Sequence, residues 1–207
     1  SFGYFAGGFP NTSTVDRIDY SNDTATAVTK GPLSSLRRDM GATGNASFGY
    51  FGGGHTPSPY HSTVDRIDYS NDTATAVAKG PLSVARSHLA ATGNASFGYF
   101  GGGGPGPAQL STVDRIDYSN DTATASAKGP LSSNNIYKVA SSSRANAIPL
   151  KGPGILEVSV SLGAFSRNYG PQGTDFGYFG GGGSGSGQVS TVDRIDYAND
   201  TATASVR

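Results

Sequence analysis

The chain has 207 residues, with 15 Lys plus Arg balanced by 15 Asp plus Glu, and no cysteine. A formal net charge of zero denies it the basic surface that neutralises nucleic-acid phosphates, and with it long-range steering toward charged partners. The missing thiol excludes disulfides, thiolate metal ligands and cysteine nucleophiles; no apolar stretch is long enough for a spanning helix, and SFGYFAGG lacks the basic start of a signal peptide.

With 31 Gly, 11 Pro, 11 Tyr, 10 Phe and no Trp, the composition is turn-rich and aromatic, which predicts an all-β chain. One phrase is written four times: STVDRIDY, then SNDTATA (ANDTATA in the last copy), starting at Ser13, Ser62, Ser111 and Ser190 and each time preceded by FGYF and a glycine run. Ser13 to Ser62 and Ser62 to Ser111 are each 49 residues, and Ser111 to Ser190 is 79. A period of about 40–50 residues with several short strands marks an array whose units cannot bury their apolar faces alone. The expectation is a single array over 1–207, with repeats near 1–45, 46–94, 95–133 and 176–207 and an insertion-bearing segment over 134–175.

The second repeat predicts four strands in chain order. Phe48 to Phe51 is an aromatic strand stopped by Gly52-Gly53-Gly54. Thr63 to Tyr69 alternates with period two, with Asp65, Ile67 and Tyr69 on one face and Val64, Arg66 and Asp68 on the other. Ser70 to Thr73 is a turn in which Asn and Asp cap nearby amides. Thr73 to Ala78 is a further strand, ended by Gly80-Pro81, and Leu89 to Thr92 a fourth, closed by Gly93-Asn94.

YSNDTATA from Tyr69, GPLSVAR (Gly80 to Arg86) and SHLAATGNASFGYFGGG (Ser87 to Gly103) together resemble the kelch repeat. The resemblance covers nearly all the chain outside the insertion and implies a kelch-like β-propeller, or a fragment of one, with four blades. The Trp that kelch repeats carry is replaced in the region of Ala76, Ala125 and Ala204, so the FGYF aromatics are expected to supply bulk. The wording STVDRIDYSNDTATA with GPLS and AATGN also resembles repeats in structural or tail-associated proteins of marine bacteriophages that infect cyanobacteria. That resemblance implies a virion protein; a cell-surface or cytoplasmic kelch-type interaction module is the alternative.

Between the glycine run and STVDRID the copies diverge, into a loop of four residues at Phe9 to Thr12 and loops of seven at His55 to His61, Gly104 to Leu110 and Gly183 to Val189. Divergent loops on a constant frame suggest a binding face, with Phe9, Pro10, Asn11, His55, Pro59, Tyr60, His61, Pro107, Gln109 and Gln188 as candidates. The expected partners are other virion proteins or a host-surface glycan or protein, within a larger assembly or homo-oligomer, with no nucleic acid and no membrane insertion. In the insertion, Ile155 to Leu162 alternates as a strand and is expected to replace the lost AATGN element.

Each repeat places charges on its strand, as Asp16 and Arg17, Asp65 and Arg66, Asp114 and Arg115, and Asp193 and Arg194. Buried charges must be paired, so each Arg is expected to meet a carboxylate of its own or the adjacent blade. Four equivalent copies argue against paired carboxylates as a glycosidase site, which needs asymmetry around one substrate. The Asp68-Asn71-Asp72 turn lacks the glycine and terminal glutamate of an EF-hand. His55 and His61 bracket one loop and could share a metal only with a third ligand, while His88 occupies an ordinary repeat position. The reading is therefore no cofactor, no metal and no enzyme.

Overall fold

The structure, a computed structural model, describes residues 1–134, 140–143, 176–184 and 187–207. Each of the four larger sheets is built on one hairpin, in which an FGYF run pairs antiparallel with the VDRID run after it. The first sheet holds β1 (Phe2–Ala6), β2 (Val15–Asp19) and β3 (Val28–Thr29). The second is a meander of β4 (Gly41–Gly44), β5 (Phe48–Gly52), β6 (Val64–Asp68) and β7 (Val77–Lys79). The third repeats it with β8 (Ala90–Gly93), β9 (Phe97–Gly101), β10 (Val113–Asp117) and β11 (Ser126–Ala127). The fourth contains β12 (Ala140–Ser143), β13 (Phe176–Gly180), β16 (Val192–Asp196) and β17 (Ser205–Val206), and a small hairpin of β14 (Gly183–Ser184) and β15 (Gly187–Gln188) interrupts it.

The sheet boundaries differ from the expected repeat boundaries. Strand β4 pairs with β5, and β8 with β9, so each Ala-Thr-Gly strand belongs to the sheet of the FGYF run that follows it. The cause is a tight turn: Asn94 donates its amide to Phe97 O, and its side-chain Oδ1 accepts from the amides of Ser96 and Phe97. In the fourth sheet this place is taken by β12 and not by 155–162, which lies outside the described residues together with most of the insertion. Strands β12 and β4 both lie against β8.

Two expected strands are shorter. Tyr69–Asn71 is a 3-10 turn capped by Asp68, whose carboxylate accepts from Ser70 N, so β6 ends at Asp68. Thr73 to Ala76 forms no strand because Ala76 N donates across to Pro32 O in the preceding unit. Those backbone groups are committed to a neighbouring sheet.

The core sits between sheets. Val15 and Leu33 of the first unit pack with Phe51, Ile67 and Ala76 of the second. Val64 and Leu82 likewise meet Phe100, Ile116 and Ala125, and Val113 and Leu131 meet Phe179, Ile195 and Ala204. Ala76, Ala125 and Ala204 are buried in these clusters, and the bulk beside them comes from the second Phe of each FGYF run. The last glycine of the preceding strand makes room for that ring: a Cβ at Gly52 would come within 2.7 Å of Phe100, and one at Gly101 within 2.7 Å of Phe179.

Candidate functional site

Three identical ionic junctions join the four units. Arg17 donates to Asp72 Oδ2 at 2.7 Å, Tyr4 OH donates to the same oxygen at 2.9 Å, and Lys30 Nζ lies 3.2 Å from Oδ1. At the next junction Arg66, Tyr50 and Lys79 hold Asp121, and at the third Arg115, Tyr99 and Lys128 hold Asp200. Burial raises the pKa of Asp72, but hydrogen bonds from Tyr4, Lys30 and Arg17 outweigh it and hold the carboxyl below its ordinary value. Backbone closes the same seam. Gly31, Gly80 and Gly129 donate to Asp72 O, Asp121 O and Asp200 O at 2.8, 2.8 and 2.7 Å. A Cβ at any of these glycines would overlap a carbonyl of the adjoining unit, at Ala74, Ala123 or Ala202 respectively.

The strand carboxylates serve a second set of pairs. Asp65 meets Arg37 at 2.6 Å and Asp114 meets Arg86 at 3.1 Å, with all four side chains fully buried. Both arginines come from the links between units, so neither aspartate pairs with the arginine beside it in sequence. Arg37 also donates to the carbonyls of Gly53 and Thr63, and Arg86 to that of Phe100. Burial draws both guanidinium pKa values down, opposed by the paired carboxylate. Asp16 in the first unit instead accepts from Thr29 Oγ1 at 3.0 Å. Asp193 is buried and Arg194 covers the Phe176 ring at 4.2 Å; neither makes an ion pair among the described residues.

The divergent loops of the first three units form one ridge with the links. Arg38 and His55 exchange backbone hydrogen bonds at 3.1 and 3.0 Å, and Ser87 and Gly104 do so at 3.3 and 3.1 Å. Phe9, 84% exposed, lies under the Arg38 guanidinium at 5.1 Å, and the His55 ring meets Tyr60 edge-on at 5.6 Å. A Cβ at Gly106 would stand 3.3 Å from Tyr60 OH, which places the third loop against the second. Pro10, Pro59 and Pro107 are exposed, Asn11 and Gln109 half-buried, and Gln188 exposed on β15 of the fourth unit.

His55 and His61, which bracket the second loop, belong to no common cluster of possible metal ligands among the described residues. His61 turns inward, where burial lowers its pKa and the Arg37 charge adds to the shift. His55 meets Asp39 and His88 instead, its Nε2 lying 3.6 Å from Asp39 Oδ2. Burial pushes the His55 imidazole below its ordinary pKa against the pull of Asp39, which favours the neutral ring at pH 7. Asp39, Arg38 and Ser87 were not among the sequence candidates, and His88, expected at an ordinary repeat position, belongs to this cluster. The links after GPLS diverge equally, Arg37-Arg38-Asp39 in one copy against Arg86-Ser87-His88 in the next, and that was the available signal.

A shallow cleft of about 670 Å³ lies at the opposite strand ends, lined by Ser1, Phe2, Tyr4, Phe48, Asp68 and Tyr69 among others. Among the described residues, no cluster of possible metal ligands lies in it. No protein-family model matches this chain, and no curated protein matches it.

Proposed function

We propose that the chain is a non-enzymatic structural protein, a kelch-like propeller fragment or open blade stack whose end faces seat further units of the same kind and which presents its loop ridge for binding. A phage virion, with host-surface or neighbouring virion partners, is the setting suggested by the resemblance of the repeat wording. The observation that carries the assembly reading is the chemistry of the two end faces. The first unit leaves Phe5 62% exposed and also exposes Tyr20 and Asp23. The last unit leaves Tyr178 37% exposed beside Arg194, with Arg207 at the position of Lys128. Inside the array the equivalent groups are buried: Phe51 and Phe100 at 5% and 0%, Tyr50 and Tyr99 at 0%. Asp23 is the counterpart of Asp72, and Tyr178 with Arg194 and Arg207 the counterpart of the trio that holds Asp72. The two ends are thus the two halves of a junction the chain already makes three times. Either face therefore fits a further unit of the same kind, of a longer chain or of a second copy, in the head-to-tail manner of a heterologous contact.

Sedimentation across a wide concentration range tests this. The chain should associate, whereas Asp23→Lys alone and Arg194→Asp alone should each remain monomeric, and an equimolar mixture of the two should recover association. A chain that is monomeric throughout, or association indifferent to both substitutions, would overturn the proposal. The ridge around the exposed Phe9 favours the second reading, a protein-interaction module. A monomer that captures one partner and loses it on Phe9→Ser would support that reading.

A further inference from the structure

We propose that Asp39, His55 and His88 form a binding site for a divalent transition-metal ion of the zinc class, which clips together two links and one loop of the ridge. Asp39 Oδ2 stands 3.6 Å from His55 Nε2 and 3.5 Å from His88 Nε2, and the three ligand atoms lie within 4.8 Å of one another. Zinc holds such donors at about 2.0–2.2 Å, so neighbouring donors of a tetrahedral site stand about 3.4 Å apart. Two edges of that tetrahedron are already at nearly the right length. Two imidazoles and one carboxylate suit zinc, cobalt, nickel or iron, and they are poor ligands for calcium or magnesium, which prefer an all-oxygen shell.

A second, independent observation concerns the far side of the rings. The Ser87 hydroxyl is fully buried and lies 2.8 Å from His88 Nδ1 and 3.3 Å from His55 Nδ1. One hydroxyl oxygen can accept from both Nδ1–H groups, which leaves both Nε2 lone pairs facing Asp39. Metal-bound histidines are commonly held by such an acceptor on their other nitrogen. The backbone supplies the rest. Asp39 and His88 occupy the same register position in successive links, and both are left-handed, with φ of 58° and 57°. His88 N donates to Asp39 O at 2.9 Å, so the two links run side by side and bring their side chains to one point.

Arg38 now sits where a cation would. Its Nε donates to His55 Nε2 at 2.8 Å and lies 3.5 Å from Asp39 Oδ2. The side chain is 27% exposed and can withdraw toward Phe9 and solvent, so an incoming ion competes with this guanidinium for the same lone pairs.

Untagged protein cleared with chelator and titrated with zinc chloride, then cobalt chloride, tests the site by calorimetry and visible absorption. A single ion per chain is expected, with a cobalt band of tetrahedral intensity and a zinc-dependent rise in melting temperature. His55→Ala and His88→Ala should abolish the cobalt band, and Ser87→Ala should weaken zinc binding about 10–100-fold. Arg38→Gln should tighten binding, and a gain of affinity cannot come from misfolding. Absence of stoichiometric binding in both the parent chain and Arg38→Gln would overturn the proposal, as would binding that survives the combined loss of His55 and His88.

Discussion

The two kinds of arginine in this chain differ in what surrounds them, and so in what their loss costs. Arg37 and Asp65 have no access to water, and Arg37 also holds two backbone carbonyls. Truncating Arg37 to Ala strands a buried carboxylate, so it should destabilise the chain by about 3–5 kcal/mol. Replacing both partners, as Arg37→Met with Asp65→Leu, should recover most of that in chemical denaturation. Arg17 is partly solvated, and its aspartate keeps Tyr4 and Lys30 as further partners, so Arg17→Ala should cost clearly less. Acid acts on the junction of Arg17 with Asp72. Because the folded Asp72 pKa is depressed, its contribution is complete above the ordinary carboxylate pKa of about 4 and disappears as pH falls through the lower folded value. The melting temperature should therefore drop on acidification below about pH 4. Asp72→Asn should lower stability at neutral pH and flatten that acid limb.

At the scale of elements, the hairpin of FGYF with VDRID in the second and third sheets pairs with strands of its own sheet, whereas the SNDTATA segment reaches across the seam. Ala125 N and Gly80 N find their acceptors across the seam, at Pro81 O and Asp121 O. Gly80 therefore has no room for a methyl group, because its Cβ would overlap Ala123 O. Gly80→Ala should open the second junction at a cost near the upper end of the usual 1–3 kcal/mol for overpacking. Hydrogen exchange would show it as faster exchange at Gly80 and Ala125 while the β5–β6 hairpin stays protected. Loss of protection throughout that hairpin would mean that sheet and seam form one cooperative unit.

Across the whole molecule, each unit's core is shared with its sequence neighbours, so stability should behave as a sum of unit and nearest-neighbour terms. Gly31→Ala should then release the first unit alone, whereas Gly80→Ala should divide the array in the middle. Denaturation of the two variants should differ in the fraction of amides lost in the first transition. Equal, fully concerted unfolding of both would contradict a nearest-neighbour stack.

The all-β class, the 49-residue period and the presence of strands at each aromatic run and at the charged run after it were legible in the amino-acid order. All three rest on short-range physics: alternation of side chains, glycine stops and Asx caps within a few residues. The assignment of Gly41–Gly44 to the second sheet, the meeting of Arg17 with a carboxylate 55 positions later, and the convergence of Asp39, His55 and His88 came only with the folded chain. Those contacts lie across seams between units. A sequence pattern records which face of a strand is apolar, but the partner of a buried charge is decided by where stacking brings the next unit's turn.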